Sequence, residues 1–130
     1  GYHYHSGLKK IFQTLKAENP QTRFLIFTTP ITAELFKILV ESGNLPDYER
    51  WLRDLVEVFG QVYDFMGVNT ITEKRENYAD LHHFYPSIGT LIADRVTGVK
   101  NSDLPEDFGI LVTPKNLESH LQNIRREAEK

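Results

Sequence analysis

Arg23-Phe24-Leu25-Ile26-Phe27-Thr28-Thr29 is a short, nearly continuous apolar run. Asn19-Pro20 precedes it and Pro30 stops it. A run of this length bounded by turn residues reads as a strand covered on both faces, the usual condition of a parallel sheet. The segments around it read as helices. Leu8, Ile11, Phe12 and Leu15 recur at i, i+3, i+4 and i+7 behind Ser6, which predicts a first helix capped by that serine. Past Pro30, Thr32 is placed to cap a helix with Leu35, Phe36 and Leu39 facing inward, and Gly43 fits its C′ position.

The alternation continues along the chain. Asp47 is the expected cap of a third helix bearing Tyr48, Trp51, Leu52, Leu55, Val56 and Phe59, closed by Gly60. Gln61-Val62-Tyr63-Asp64-Phe65-Met66 then makes a second strand. Residues 67–77 are polar and turn-rich, the kind of loop that carries function on an α/β scaffold. Pro86 or Ser87 opens a fourth helix with Ile88, Leu91, Ile92 and Val96, and Gly98 ends it. Residues 108–112 are extended, and Thr113-Pro114 is a cap-plus-proline signal for a last helix carrying Leu117, Leu121 and Ile124. Strands separated by helices predict an α/β domain with a short, mainly parallel sheet, whose core strands are residues 24–28 and 62–65. Two or three strands leave a sheet edge open, which invites a partner chain and predicts a homo-oligomer, a dimer first.

Composition narrows the function classes. A chain of 130 residues is one small domain or part of one. Its 40% hydrophobic and 25% charged residues are those of a folded globular chain rather than a disordered one. The formal charge of −3 gives no electrostatic footprint for nucleic acid, and Arg125-Arg126 is diluted by Glu127 and Glu129. With no cysteine, disulfide frameworks and thiolate chemistry are excluded.

Chemistry concentrates in Tyr78-Ala79-Asp80-Leu81-His82-His83-Phe84-Tyr85-Pro86-Ser87-Ile88-Gly89. An aspartate three residues before a histidine, in a turn ahead of a helix start, can accept the Nδ1 proton of His83. That fixes the imidazole tautomer and leaves Nε2 as a base, the orienting task of the acid in a catalytic triad. Asn69, Thr70 and Tyr85 flank this turn or sit in the loop after a strand end, and are the candidate substrate-binding residues; Tyr78 is as readily a packed side chain. His82 reads as a solvent-exposed neighbour. His3 and His5 would join His83 around zinc, but no carboxylate at fitting spacing completes the set, so no metal or other cofactor is expected. Trp51 sits at its helix's buried spacing and reads as core.

The Asp80-x-x-His83 spacing resembles the terminal block of the SGNH (GDSL-type) hydrolase superfamily. The likeness extends through His83-Phe84-x-Pro86-x-x-Gly89 and the tail Phe108-Gly109-Ile110-Leu111-Val112-Thr113-Pro114-Lys115-Asn116-Leu117-Glu118-Ser119-His120-Leu121, similar to a mostly uncharacterised, envelope-associated bacterial branch. It implies that residues 1–130 are a single unit, the C-terminal part of a three-layer α/β/α sandwich. It further implies Asp80 and His83 as the acid and base of a Ser-His-Asp triad, and a periplasmic or envelope location. The substrate class implied is an ester, such as an O-acyl group on an envelope carbohydrate, for an esterase or acyltransferase. The family's nucleophile block is absent: no Gly-Asp-Ser occurs, and Ser6, Ser42, Ser87, Ser102 and Ser119 do not sit on a strand-to-helix turn. This chain by itself is therefore expected to be inactive on esters. Two rival readings stand beside this: a non-catalytic scaffold or carbohydrate-binding module of the same ancestry, and a free-standing α/β domain that dimerises through its sheet edge.

Overall fold

The structure is a computed structural model and describes residues 7–130. It is a mixed α/β fold. Among the described residues five α-helices, α1 (Leu8–Glu18), α2 (Ala33–Glu41), α3 (Leu45–Phe59), α4 (Pro86–Thr97) and α5 (Leu117–Ala128), surround two short strands, β1 (Val62–Asp64) and β2 (Ile110–Val112).

The regular pairing departs from expectation. β1 and β2 are antiparallel, with Val62 opposite Val112 and Asp64 opposite Ile110. Parallel pairing is confined to one bridge, Phe27 with Tyr63. There Tyr63 N–H donates to Ile26 O at 2.9 Å and Thr28 N–H donates to Tyr63 O at 3.0 Å. Residues 24–28 thus run beside β1 without becoming a regular strand. The physical reason lies in their burial. Phe24, Ile26 and Thr28 turn inward, whereas Leu25 and Phe27 remain 40% and 43% exposed. The run is apolar throughout but covered on one side only, so run length overstated its burial.

The core forms on both faces of the β1–β2 pair. Val62 and Val112 pack with Leu52, Leu55 and Val56 of α3 and Leu121 of α5. On the other side Phe65 and Phe108 pack with Ile88, Leu91 and Ile92 of α4, and Tyr63 leans against that cluster. Phe36 of α2 packs with Leu45, Ile124 and Ala128. Each fully buried aliphatic or phenyl side chain contributes roughly 1.5–3 kcal/mol of transfer free energy, so these clusters dominate the attraction holding the helices.

Several helix ends fall elsewhere than expected. Thr32 caps α2 as anticipated, accepting from Leu35 N–H at 3.2 Å. α3 begins earlier, at Leu45, leaving Asp47 in its first turn rather than at the cap. α5 begins later, at Leu117, because the Asn116 carboxamide oxygen accepts from Thr113 N–H at 2.7 Å and closes a turn across Pro114. Gly7 occupies the α1 cap position, and Ser6 lies outside the described residues. α1 buries no residue: Ile11 is 60% exposed, and the helix is held to α3 by Phe12 on Phe59, a Lys9–Glu57 ion pair and Lys16 on Val58 O.

Candidate functional site

The Asp80–His83 turn is pinned from two sides. Tyr78 and Phe84 form an antiparallel bridge, and Ala79 N–H donates to His83 O at 2.8 Å, closing the turn. Leu81 O accepts from both the backbone N–H and the hydroxyl of Thr32, at 3.0 and 2.9 Å, which ties the turn to the start of α2. Tyr85 N–H donates to Asn77 O at 2.9 Å, setting the turn against the start of α4. Tyr78 is buried beneath it, and its hydroxyl donates to Ile31 O at 3.2 Å.

Inside this frame the expected pair is formed. His83 Nδ1 lies 2.7 Å from Asp80 Oδ2 and 2.9 Å from Oδ1. Asp80 Oδ1 also accepts from the backbone N–H groups of His82 and His83, at 2.9 and 2.8 Å. The His82 amide, followed by the His83 ring, lowers the Asp80 pKa to about 2. An ionised carboxylate can only accept, so Nδ1 carries a proton, and in the neutral imidazole that tautomer puts the lone pair on Nε2, where it can act as a base. The pair stands in solvent, with side-chain exposures of 67% for His83 and 51% for Asp80. Among the described residues no serine hydroxyl hydrogen-bonds His83; Ser42 and Ser119 donate to carbonyls of their own helical turns.

The other expected site residues divide. Tyr85 shares the turn and is half exposed. Asn69 is buried and its carboxamide is spent locally, Oδ1 accepting from Ile71 and Thr72 N–H at 3.0 Å each and Nδ2 donating to Phe65 O at 3.4 Å. Thr70 is bound to Asp107 Oδ2 through both its N–H and its hydroxyl, at 2.9 Å each. Neither hydrogen-bonds the Asp80 turn; Asn69 lines a different cavity, of about 230 Å³, with Asp64, Asp107 and His120. A polar loop after a strand must satisfy its own backbone; the Asn69 carboxamide does so directly, and the Thr70 N–H is met by Asp107, which also engages the Thr70 hydroxyl.

Two features escaped the sequence reading. First, His82 is not merely a neighbour. Its ring lies against that of His83, with centroids 4.3 Å apart and the planes tilted by 50°, and His82, His83 and Asp80 present three metal-ligand atoms within 4.8 Å of one another. Asp80 thus lies beside His82 and His83, while His3 and His5, the other members of the histidine set considered from sequence, lie outside the described residues. Second, Asp64 and His120 form a buried pair, Oδ2 to Nε2 at 2.7 Å. Asp64 Oδ1 accepts from the Tyr48 hydroxyl, from Thr28 Oγ1 at 2.8 Å and from Met66 N–H at 3.2 Å. Burial first, and then the Asp64 charge and hydrogen bond, raise the Tyr48 pKa well above its ordinary value, so Tyr48 stays a neutral donor. The signal available in the sequence was alternation, which puts Asp64 on the inward face with Val62. Comparison with family models, curated proteins and solved structures gives no match for this chain.

Proposed function

We propose that this chain supplies the base and its orienting acid to an SGNH-type serine esterase or O-acyltransferase. The observation that carries the reading is the 2.7 Å contact from His83 Nδ1 to Asp80 Oδ2, which orients the ring and turns Nε2 away from the carboxylate as the candidate base. In the reaction His83 Nε2 takes the proton of a serine hydroxyl as its oxygen attacks the acyl carbon, and Asp80 steadies the imidazolium that results. The serine belongs to a segment other than these residues, which contain no Gly-Asp-Ser block. An acylated envelope carbohydrate is the substrate that the resemblance implies. Core clusters on both faces of β1–β2 support the finer fold reading, part of an α/β/α sandwich with further strands beside residues 24–28. The uncovered Leu25 and Phe27 support a homodimer formed along that edge, which sedimentation at micromolar concentration tests; a stable monomer refutes it.

The exposure of Asp80 favours a second reading, since a triad acid is ordinarily enclosed. In it the domain is a non-catalytic scaffold or carbohydrate-binding module of the same ancestry. Fluorophosphonate labelling and aryl-acetate hydrolysis decide between them when applied to the parent protein and to this chain alone. The catalytic reading expects no turnover by this chain. It expects a labelled serine in the parent and a loss of about 10⁴ in kcat on Asp80→Asn, the scale seen when a triad acid is neutralised. A parent that labels and turns over equally well with His83→Ala refutes it, and a parent that neither labels nor turns over supports the scaffold.

A further inference from the structure

We propose that Asp80, His82 and His83 bind a divalent transition-metal ion, of which zinc is the expected occupant. The site shares Asp80 and His83 with the esterase reading but does not rest on it: a metal on His83 Nδ1 would displace the proton between that nitrogen and Asp80, so the two states exclude each other.

Geometry carries the assignment. Ligand atoms around tetrahedral zinc, each about 2.0–2.2 Å from the metal, lie roughly 3.3 Å from one another. His83 Nδ1 is 2.7 Å from Asp80 Oδ2, and His82 Nδ1 is 3.9 Å from Asp80 Oδ1. These separations bracket the required one, and the whole set falls within 4.8 Å. Small rotations of the two imidazoles convert one arrangement into the other. At 3.9 Å the His82 Nδ1 contact is too long for a hydrogen bond, so that nitrogen faces the same carboxylate without being bound to it.

The backbone is already organised for this. Asp80 Oδ1 holds the amides of His82 and His83, and Thr32 anchors Leu81, so the three ligand-bearing residues are fixed before any ion arrives. The two rings, tilted against each other with centroids 4.3 Å apart, lie together on one side of the turn. Side-chain exposures of 51–67% give an ion free access and leave coordination positions for water. Two imidazole nitrogens and one carboxylate oxygen select zinc, copper or nickel over magnesium and calcium, which prefer oxygen-only sets.

Calorimetric titration of the chain with zinc chloride at neutral pH, in metal-free buffer, tests the site. A companion chain carrying His3→Ala and His5→Ala removes the N-terminal imidazoles. One zinc per chain is expected in both, uncompeted by millimolar magnesium. His82→Gln and Asp80→Asn should each weaken binding at least about tenfold, since even outer-shell partners are worth that much. Imidazole ¹⁵N spectra of the unmutated chain give a readout that needs no variant: zinc should shift the Nδ1 signals of His82 and His83 and leave His120 unchanged. Binding that vanishes with His3 and His5, survives His82→Gln undiminished, or leaves the His82 and His83 signals unmoved overturns the proposal.

Discussion

Replacing Asp64 by alanine should be among the most damaging single changes available in this fold. Asp64 is almost wholly buried and receives four donors: Tyr48 OH, Thr28 Oγ1, Met66 N–H and the His120 ring. Those donors tie α3, residues 24–28, the end of β1 and α5 to one carboxylate. An orphaned buried donor costs about 1–3 kcal/mol, and removing one partner of a buried charged pair costs about 3–5 kcal/mol. The terms share one site and do not add, so Asp64→Ala is expected to lose about 4 kcal/mol. That is a large part of the roughly 5–15 kcal/mol a domain possesses. At about 4 °C per kcal/mol for a chain of this size, Tm should fall by roughly 15 °C. Asp64→Asn should cost only about 1–2 kcal/mol, because Oδ1 still accepts from three donors and the new amide can donate to His120 Nε2 once the ring shifts its proton to Nδ1. Urea unfolding followed through Trp51, the chain's single tryptophan, measures both. An alanine variant within about 1 kcal/mol of the parent, at unchanged m, would show that Asp64 is solvated rather than enclosed. An asparagine variant as damaged as the alanine would show that the site requires the charge itself.

Gly109→Ala should destabilise by about 3 kcal/mol: its φ is +83°, and a Cβ there would sit 2.4 Å from Cε1 of the fully buried Phe65 ring. Gly98→Ala, at φ +78° with no atom within 4 Å, should cost only about 1 kcal/mol, and equal thermal shifts for the two would refute the steric argument. Asp80 should titrate near pH 2 by carboxyl ¹³C NMR; its folded pKa lies below the ordinary 3.8, so its stabilisation of the turn is present above that value and disappears as pH falls from 3.8 towards 2. His83→Ala should raise this midpoint without restoring 3.8, because the His82 amide is the larger cause, and a midpoint near 4 in the unmutated chain would contradict the turn geometry.

The helices were legible because their signals are local. Thr32 caps α2, Gly43 and Gly60 follow α2 and α3 with φ of 81° and 87°, and the Leu52, Leu55, Val56 stripe enters the core. α1 shows where periodicity stops informing: Leu8, Ile11, Phe12 and Leu15 form a clean stripe, yet only part of it meets α3. A hydrophobic stripe states what a helix is able to bury, not what is present to bury it against. Strand direction was the least legible property. Residues 24–28 and 62–65 carry the composition of paired strands, but β1 makes its regular ladder with β2, antiparallel, and only a single parallel bridge with residues 24–28, a division that neither segment encodes.

The two aspartate–histidine pairs divide along the same line. Asp80 and His83 are three residues apart, and a single turn with its own hydrogen bonds brings them together, so spacing alone anticipated the contact. Asp64 meets Tyr48, Thr28 and His120 across 16, 36 and 56 residues, distances at which no motif spacing constrains geometry. What the sequence did contain was an unsatisfied demand: an ionisable residue at an inward strand position, flanked by Val62 and Phe65, must find donors or leave the core. That demand names no partner but restricts the candidates to polar residues on the inward faces of neighbouring elements. His120 meets the condition, one residue from Leu121 on the face of α5 that packs on β1 and β2. Taking the carboxylate rather than the histidine as the starting point would have paired them, since a buried charge constrains its surroundings more strongly than an imidazole that is stable in either state.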